Sequence, residues 1–174
     1  AEGLLETRFA RLTGRTGPGA GRPSQLYSRA DRDIAVSLPG REYELAGQLM
    51  AEAIAESAAT GLPAIEALNR AAAEHGRTIG EAILEPSGTP GSKAKALALA
   101  SQALEAHGYE PRTVAGRVEL ANCPFHSLAD THTDMVCGMN LALIDALVET
   151  VEAGKLACHL DPGEGRCCVV LENR

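Results

Sequence analysis

Apolar positions after residue 37 recur at a helical spacing and predict a first helix that runs to Gly61. Leu45 and Leu49 are four residues apart, and small apolar residues continue the same stripe. A period near 3.6 residues places such side chains on one face of a helix. Ser37 can accept hydrogen bonds from the first free amides, and Pro39 suits an initial turn, so we expect the helix to begin there.

Two further Ala-rich helices are predicted before Gly108. Pro63 begins the first of them, whose apolar stripe fades into the loop EPSGTPGS. Ser92 caps the second, KAKALALASQALEAHG, which ends at Gly108. Ala-rich helices can approach each other closely, and a pair that faces a second copy of the chain would form a homodimer. Packing within one chain is the alternative.

Strands are predicted after the third helix, because the apolar period there falls to about two residues. RTVAGRVELA places Val118 and Leu120 on one side of a strand, with Ala115 and Gly116 at a tight turn. DMVCGMNLALIDALVETVEAG is an amphipathic helix that Gly154 would end, and KLACHL and CCVVLEN form a hairpin around DPGEGR. The predicted fold class is α+β, with Ala-rich helices and a small antiparallel sheet.

The N-terminal segment combines strand patterning with positive charge. LLETRFARLTGR and QLYSR read as two short strands around the Gly- and Pro-rich loop TGPGAGRPS. Six arginines lie between Arg8 and Arg32 against the single acid Asp31, although the net charge of the whole chain is −7. This asymmetry suggests a basic arm on an acidic body, and the arginine cluster as a whole favours a DNA partner.

Composition limits the cellular setting. No apolar run approaches the roughly 20 residues that a membrane span needs, and the start lacks the pattern of a signal peptide. We therefore expect a cytoplasmic protein with no membrane partner. The chain begins at Ala1, which suggests a processed or truncated piece. Five cysteines without a secretory signal favour free, metal-bound or redox-active thiols over a disulfide framework.

Four of the cysteines lie at the ends of predicted elements. Cys123 follows a strand, Cys137 lies in the first turn or so of a helix, and Cys167 and Cys168 begin the last strand. Element ends can collect ligands from distant sequence around one metal ion, at about 2.3 Å from zinc to each sulfur. The amides and dipole of the helix start would lower the pKa of Cys137 and favour its thiolate.

The remaining ligands are less defined. Cys167 and Cys168 would point to opposite faces of an extended strand, so at most one of them readily joins a single site. His126 and His132 lie between the first two site cysteines in sequence, and either could complete a fourth ligand position. The chain has no CxxC pair, so spacing alone is a weak signal for a metal.

Other interpretations of the same residues stay open. Buried cysteines often serve as small core residues, and Cys158, which alternates with leucines on a strand, fits that description. Cys137 beside His132 could act as nucleophile and base in a thiol-dependent redox enzyme, although no third orienting residue has an identifiable spacing. A third interpretation is a sensor that holds a small molecule between the sheet and the Ala-rich helices.

Two stretches resemble bacterial regulators. LLETRFARLTGRTGPGAGRPSQLYSR is similar to the wing of ArsR-like winged helix-turn-helix proteins, in which GRP precedes a closing strand. NCPFHSLADTHTDMVCGMN, together with GEGRCC, resembles the C-terminal sensor half of SufR-type regulators, whose cysteines bind an iron-sulfur cluster. The resemblance covers nearly the whole chain. It implies a wing remnant at residues 1–36, without the preceding helix-turn-helix, and a dimerisation and metal- or cluster-sensing domain at residues 37–174.

The resemblance also implies site residues. Cys123 and Cys137 match the first two cluster cysteines of SufR-type sensors, and Cys167 matches the third because it follows a Gly-x-Gly-x turn, with Cys168 as the alternative. The cofactor is then an iron-sulfur cluster of the 4Fe-4S type, or a zinc ion (Zn) held by three thiolates and one imidazole. Contacts to the phosphates or the minor groove of double-stranded DNA would come from the wing arginines Arg8, Arg11, Arg15 and Arg22.

These implications combine into one expected function. We expect a homodimeric, DNA-binding transcriptional regulator, and not an enzyme, in which the metal or cluster controls operator binding. Ligation from three elements would tie the helix to the hairpin, and loss of the metal would release them and change the angle between paired wings. Without its helix-turn-helix, this segment alone is not expected to bind a specific operator.

Overall fold

The computed structural model describes residues 5–12, 17–18, 21–30, 37–152 and 156–173. The chain divides into two compact units, Ala1–Val36 and Ser37–Arg174. Its described residues form five helices and six strands in two antiparallel sheets, so the predicted α+β class is confirmed. None of the helices in these ranges combines the length and the apolar character that a bilayer span requires.

The first unit contains a two-stranded antiparallel hairpin. Strand β1 (Leu5–Ala10) pairs with β2 (Ser24–Arg29) in a register that joins Leu5 to Arg29. The strand pair that the alternating pattern predicts is therefore present. The large apolar side chains of both strands are mostly exposed, as is expected for a strand pair that is too small to enclose a core.

Helix α1 (Tyr43–Thr60) begins later than its sequence pattern suggests. Ser37 donates its hydroxyl to the carbonyl of Pro39 at 3.0 Å, and Glu42 stands at the N-cap of the helix. The prediction that the helix begins at Ser37 and Pro39 was wrong. The amide of Glu42 donates instead to the carbonyl of Pro124 at 3.1 Å, so a tertiary contact holds the chain outside helical geometry just before α1.

Helix α2 (Ala64–Ser87) packs closely against α5 (Thr133–Glu152) at two glycines. A Cβ atom at Gly76 would overlap the carbonyl oxygen of Leu143, and a Cβ atom at Gly80 would lie 2.6 Å from the Cβ atom of a threonine in α5. The absence of side chains at these positions lets the two helices approach. Much of the core centre comes from buried side chains of α5, namely Val136, Met139, Leu143, Ile144, Leu147 and Val148.

Two shorter helices complete the helical layer. The predicted cap of α3 (Lys93–Ala106) is confirmed, because the hydroxyl of Ser92 accepts a hydrogen bond from the amide of Lys95 at 3.3 Å. Helix α4 (His126–Thr131) has six residues and was not predicted as a separate element. Gly154, the predicted end of the last helix, lies outside the described residues.

The second sheet has the strand order β3-β4-β6-β5, and each neighbouring pair is antiparallel. Both predicted hairpins are present, β3 with β4 and β5 with β6. Ala115 and Gly116 have φ values of 50° and 85°, which is the left-handed conformation that a tight hairpin turn needs. The strands are β3 (Pro111–Val114), β4 (Arg117–Leu120), β5 (Leu156–Leu160) and β6 (Val169–Asn173).

Candidate metal centre

One cavity in the second unit is lined by four of the five cysteines. It has a volume of about 510 Å³ and includes Cys123, Cys137, Cys167 and Cys168 in its lining. Cys123 follows β4, Cys137 lies in the second turn of α5, and the other two lie in the turn before β6. Three separate segments of the chain therefore supply the sulfur atoms of one cavity.

Sheet pairing brings the first and last of these segments together. Strands β4 and β6 are neighbours, and the amide of Cys167 donates to the carbonyl of Leu120, at the end of β4, over 2.8 Å. Cys123 is three residues beyond Leu120, and its carbonyl accepts from the amide of His126 as α4 begins. Both cysteines are buried as a result, with exposed fractions of 9% for Cys123 and 1% for Cys167.

Cys167 and Cys168 both reach the cavity, contrary to expectation. The prediction that they point to opposite faces was wrong because it assumed an extended strand. Strand β6 begins only at Val169, and the two cysteines lie in the preceding turn, where side chains do not alternate. Two adjacent residues can therefore contribute to one site.

The four thiols are close enough to shift one another's pKa. Cys167 raises the pKa of Cys123, Cys168 raises that of Cys167, and burial raises the pKa of Cys137 while Cys168 lowers it. None of the five cysteines, which all lie in described residues, is in a disulfide. The cavity thus holds a connected group of reduced sulfur atoms.

N–H groups point at two of these sulfur atoms. The sulfur of Cys123 accepts from the backbone amide of Phe125, and the sulfur of Cys167 accepts from that of Val169. The side-chain amide of Asn140 also donates to Cys167, at 3.2 Å. Donors to sulfur favour the thiolate over the thiol, and the thiolate is the form that binds metals.

Burial and the neighbouring thiols oppose ionisation of these cysteines. The hydrogen bond to Cys167, followed by burial, raises the pKa of Cys123 well above its usual range. At Cys167 the hydrogen bond from Cys123 lowers the pKa, but the hydrogen bond with Cys168 and burial raise it more, to about 11. Burial also raises the pKa of Cys137, so the expected lowering by the helix start was wrong.

Two arginines line the cavity beside the cysteines. Arg41 donates to the carbonyl of Cys123 at 3.2 Å and to the side-chain oxygen of Asn122. Arg166 donates to the carbonyl of Cys167 at 3.3 Å and to the carboxylate of Asp161 at 2.9 Å. The guanidinium groups place positive charge where several thiolates would carry negative charge.

The histidines differ in their relation to the cavity. His126 belongs to the lining, but it is exposed, and its Nε2 atom lies 3.6 Å from the carboxylate of Asp130. His132 is exposed at the C-cap of α4 and lies outside the lining. Cys158, in β5, packs against the core and also lies outside the lining. The four cysteines, with His126 at the rim, are therefore the predicted ligands that the fold brings together.

Sequence reasoning missed Asn140 and Asn122. Asn140 is 1% exposed on α5, where it links the hydroxyl of Tyr109 to the sulfur of Cys167. Asn122 is 8% exposed and donates to the carbonyls of Gly40 and Gly108 while it accepts from Arg41. Asn140 had a detectable signal, since it is a polar residue on the apolar face of a helix that already carries a candidate ligand.

The arrangement matches some metal groups better than others. Among the described residues, no three His, Cys, Asp or Glu side chains are placed to surround one metal ion. A zinc ion would need its ligand sulfur atoms at about 2.3 Å. A cluster with several iron and sulfide atoms needs its ligands spread around a larger body, and the cavity has the volume for one. The donor set, the N–H groups at sulfur and the nearby arginines fit that group.

The predicted DNA contacts lie on the first unit. Arg8 is in β1, Arg11 follows it, and Arg22 precedes β2; all three are exposed. Arg11 donates its Nε hydrogen to the carbonyl of Gly21 at 3.4 Å, across the hairpin. Arg15 lies outside the described residues. The described arginines can therefore present positive charge to solvent.

Comparisons of the chain with protein-family models, with curated proteins and with solved structures gave no significant match. The resemblance to ArsR-like and SufR-type regulators therefore rests on the quoted motifs alone. The functional argument rests on the chemistry of the four-cysteine cavity, because no relative assigns a role to any of its residues.

Proposed function

We propose that this chain belongs to a cytoplasmic, DNA-binding transcriptional regulator whose residues 37–174 hold a Cys-ligated iron-sulfur cluster that controls operator binding. The observation that carries the proposal is the gathering of four thiols, from three segments of the chain, in one cavity. A 4Fe-4S cluster takes four thiolate ligands, and Cys123, Cys137, Cys167 and Cys168 offer that number. No catalytic step is assigned to the site.

Protonation makes loading of the site dependent on pH. The raised pKa values of Cys123, Cys137 and Cys167 keep these thiols protonated near neutral pH, so each must lose its proton when it becomes a ligand. Arg41 and Arg166 offset the negative charge that then accumulates. Bound iron and sulfide would supply redox chemistry, and the protein would supply ligands, N–H donors and positive charge.

Ligation of these residues would add links between α5, the end of β4 and the turn before β6, which packing and hydrogen bonds already hold together. Cys123 lies just after β4, Cys137 lies in α5, and Cys167 and Cys168 lie in the turn before β6. A change in occupancy would therefore alter the restraint on α5, the helix that packs against α2. We propose that this change reaches a homodimer interface and so alters DNA binding by the arginines of the β1–β2 hairpin.

The thiol-enzyme alternative receives less support from the geometry. A nucleophilic cysteine needs a lowered pKa and a nearby base. Burial raises the pKa of Cys137, and His132 lies exposed outside the cavity lining. The small-molecule alternative places its ligand between the sheet and the Ala-rich helices, whereas no residue of α1, α2 or α3 lines the four-cysteine cavity.

The test is the composition of protein purified without air. We expect iron and acid-labile sulfide in equal amounts, with broad visible absorption, in the unmodified chain. Cys123→Ser, Cys137→Ser, Cys167→Ser and Cys168→Ser should each lose most of both elements. Cys158→Ser is the matched control and should keep them, because Cys158 lies outside the cavity lining. A colourless protein free of iron, or one that holds only zinc, would refute the cluster.

A further inference from the structure

Asn140 has two partners that fix the direction of its side chain. Its exposed fraction is 1%, and its neighbours Val136, Met139 and Leu143 on α5 are equally buried and apolar. The hydroxyl of Tyr109 donates to Oδ1 of Asn140, and Nδ2 of Asn140 donates to the sulfur of Cys167 at 3.2 Å. Both ends of this buried amide are therefore satisfied.

The pairing is specific in its orientation. A buried amide without hydrogen-bond partners destabilises the folded state, so a polar residue in this core requires both contacts. A ligating thiolate can only accept, so the NH₂ group of Asn140 faces Cys167 and the amide oxygen accepts from the hydroxyl of Tyr109. Tyr109 is 3% exposed, so solvent does not compete for this contact.

We propose that Asn140 is a positioning residue that raises the reduction potential of the iron-sulfur cluster through its hydrogen bond to Cys167, with Tyr109 holding the amide in place. This inference rests on the proposed function of the same cavity. Reduction adds one electron, taken from an external one-electron donor, to a group already surrounded by thiolates. An N–H donor at a ligand sulfur stabilises the more negative state more strongly, which favours reduction.

The side-chain amide of Asn140 can be removed by substitution, whereas the backbone donor at the same sulfur cannot. The amide of Val169 also donates to Cys167, but β6 fixes its position and no side-chain substitution removes it. Asn140 depends on one partner, Tyr109, which lies just beyond α3. Substitutions at these two residues therefore test the side-chain contribution while the backbone contribution stays constant.

The experiment is a reductive titration of the anaerobic, cluster-loaded protein with dithionite and redox mediators, followed by visible absorption. Removal of the donor in Asn140→Leu should lower the equilibrium constant for reduction about tenfold, or about 59 mV for one electron. Tyr109→Phe should shift it in the same direction by less, because the amide remains but is no longer oriented. Met139→Leu, a neighbouring core change that leaves the amide intact, should leave the potential unchanged.

A double variant keeps the test possible if the single variant Asn140→Leu fails to fold. Asn140→Leu with Tyr109→Phe removes both polar partners together, which is close to neutral for stability when the shapes match. It should reproduce the shift of Asn140→Leu. If loaded variants keep the potential of the unmodified protein, the amide has only a structural role and the inference is wrong. If the unmodified protein carries no iron and sulfide, the proposed function itself fails, and this inference fails with it.

Discussion

The backbone amide of Cys167 donates to the carbonyl of Leu120 over 2.8 Å, which ties the turn before β6 to the end of β4. This bond lies just beyond the regular pairing of Val118 with Leu171 and is offset from that register by two residues. The position of Cys167 near Cys123 is therefore set by backbone hydrogen bonds of the sheet, and it does not require a metal. The framework of the site should persist when the site is empty.

Removal of the metal group should lower stability without unfolding the protein. A ligand that binds only the folded state stabilises it by about 3–4 kcal/mol at a hundred- to a thousandfold excess over its dissociation constant. At about 2–4 °C for each kcal/mol, chelation should lower the melting temperature by roughly 5–15 °C. Far-ultraviolet circular dichroism should stay unchanged. In a Cys123→Ser, Cys167→Ser double variant, which lacks two ligands, the chelator should have no effect on the melting temperature.

Alkaline pH should destabilise the metal-free protein through the buried thiols. Folding raises the pKa of Cys167 from 9.0 to about 11, and that of Cys123 is raised as well. The stabilisation linked to a raised pKa is fully present below the unfolded value, near pH 9, and is lost as the pH rises through about 11. A shift of this size corresponds to roughly 2–3 kcal/mol for Cys167. Urea unfolding across this range should show the loss.

The same pH series on Cys123→Ser, Cys167→Ser protein isolates the thiols from other titrating groups. Its free energy of unfolding should fall less between pH 9 and pH 11, because two buried groups no longer ionise on unfolding. Equal pH dependence in both proteins would contradict the assignment of the effect to these cysteines.

Local patterns predicted the elements of this fold well. The hairpin turn at Ala115 and Gly116, the cap at Ser92 and the strands that carry alternating apolar residues all depend on residues close in sequence. The start of α1 could not be predicted in this way. It depends on the contact of Glu42 with Pro124, two residues that meet only after the sheet and helices have packed.

The sequence predicted the candidate ligands of the site, but it did not predict how their pKa values are shifted. Cysteines at element ends indicated which sulfur atoms could meet. The pKa of Cys137 depends on burial and on neighbouring thiols. Burial raises this pKa by more than the start of the helix, which the sequence does show, could lower it. The geometry of Cys167 and Cys168 depended on where β6 begins, a boundary that sequence patterns place only within a few residues.

Gly76→Ala should strongly destabilise the helical core. The added Cβ atom would overlap the carbonyl oxygen of Leu143, a backbone atom that cannot move without shifting α5. Overpacking of this kind costs about 1–3 kcal/mol or more. Gly47→Ala is the matched control, because Gly47 is also helical but has open space around it, and the change should stabilise by about 0.4–1 kcal/mol. Urea unfolding of both variants measures the difference, and equal stabilities would refute the close approach of α2 and α5.

Arginines of the β1–β2 hairpin should contribute to DNA binding through phosphates. Arg8 and Arg22 are exposed, and neither belongs to the cavity that holds the cysteines. Each phosphate contact that is lost should reduce the slope of log affinity against log salt by about one. We therefore expect Arg8→Ala and Arg22→Ala to weaken binding to all double-stranded sequences alike. Arg77→Ala, which removes an exposed arginine paired with Glu74 on α2, is the control. Fluorescence anisotropy with labelled duplexes at several salt concentrations gives the slopes. Unchanged slopes in both hairpin variants would contradict a role of this hairpin in DNA binding.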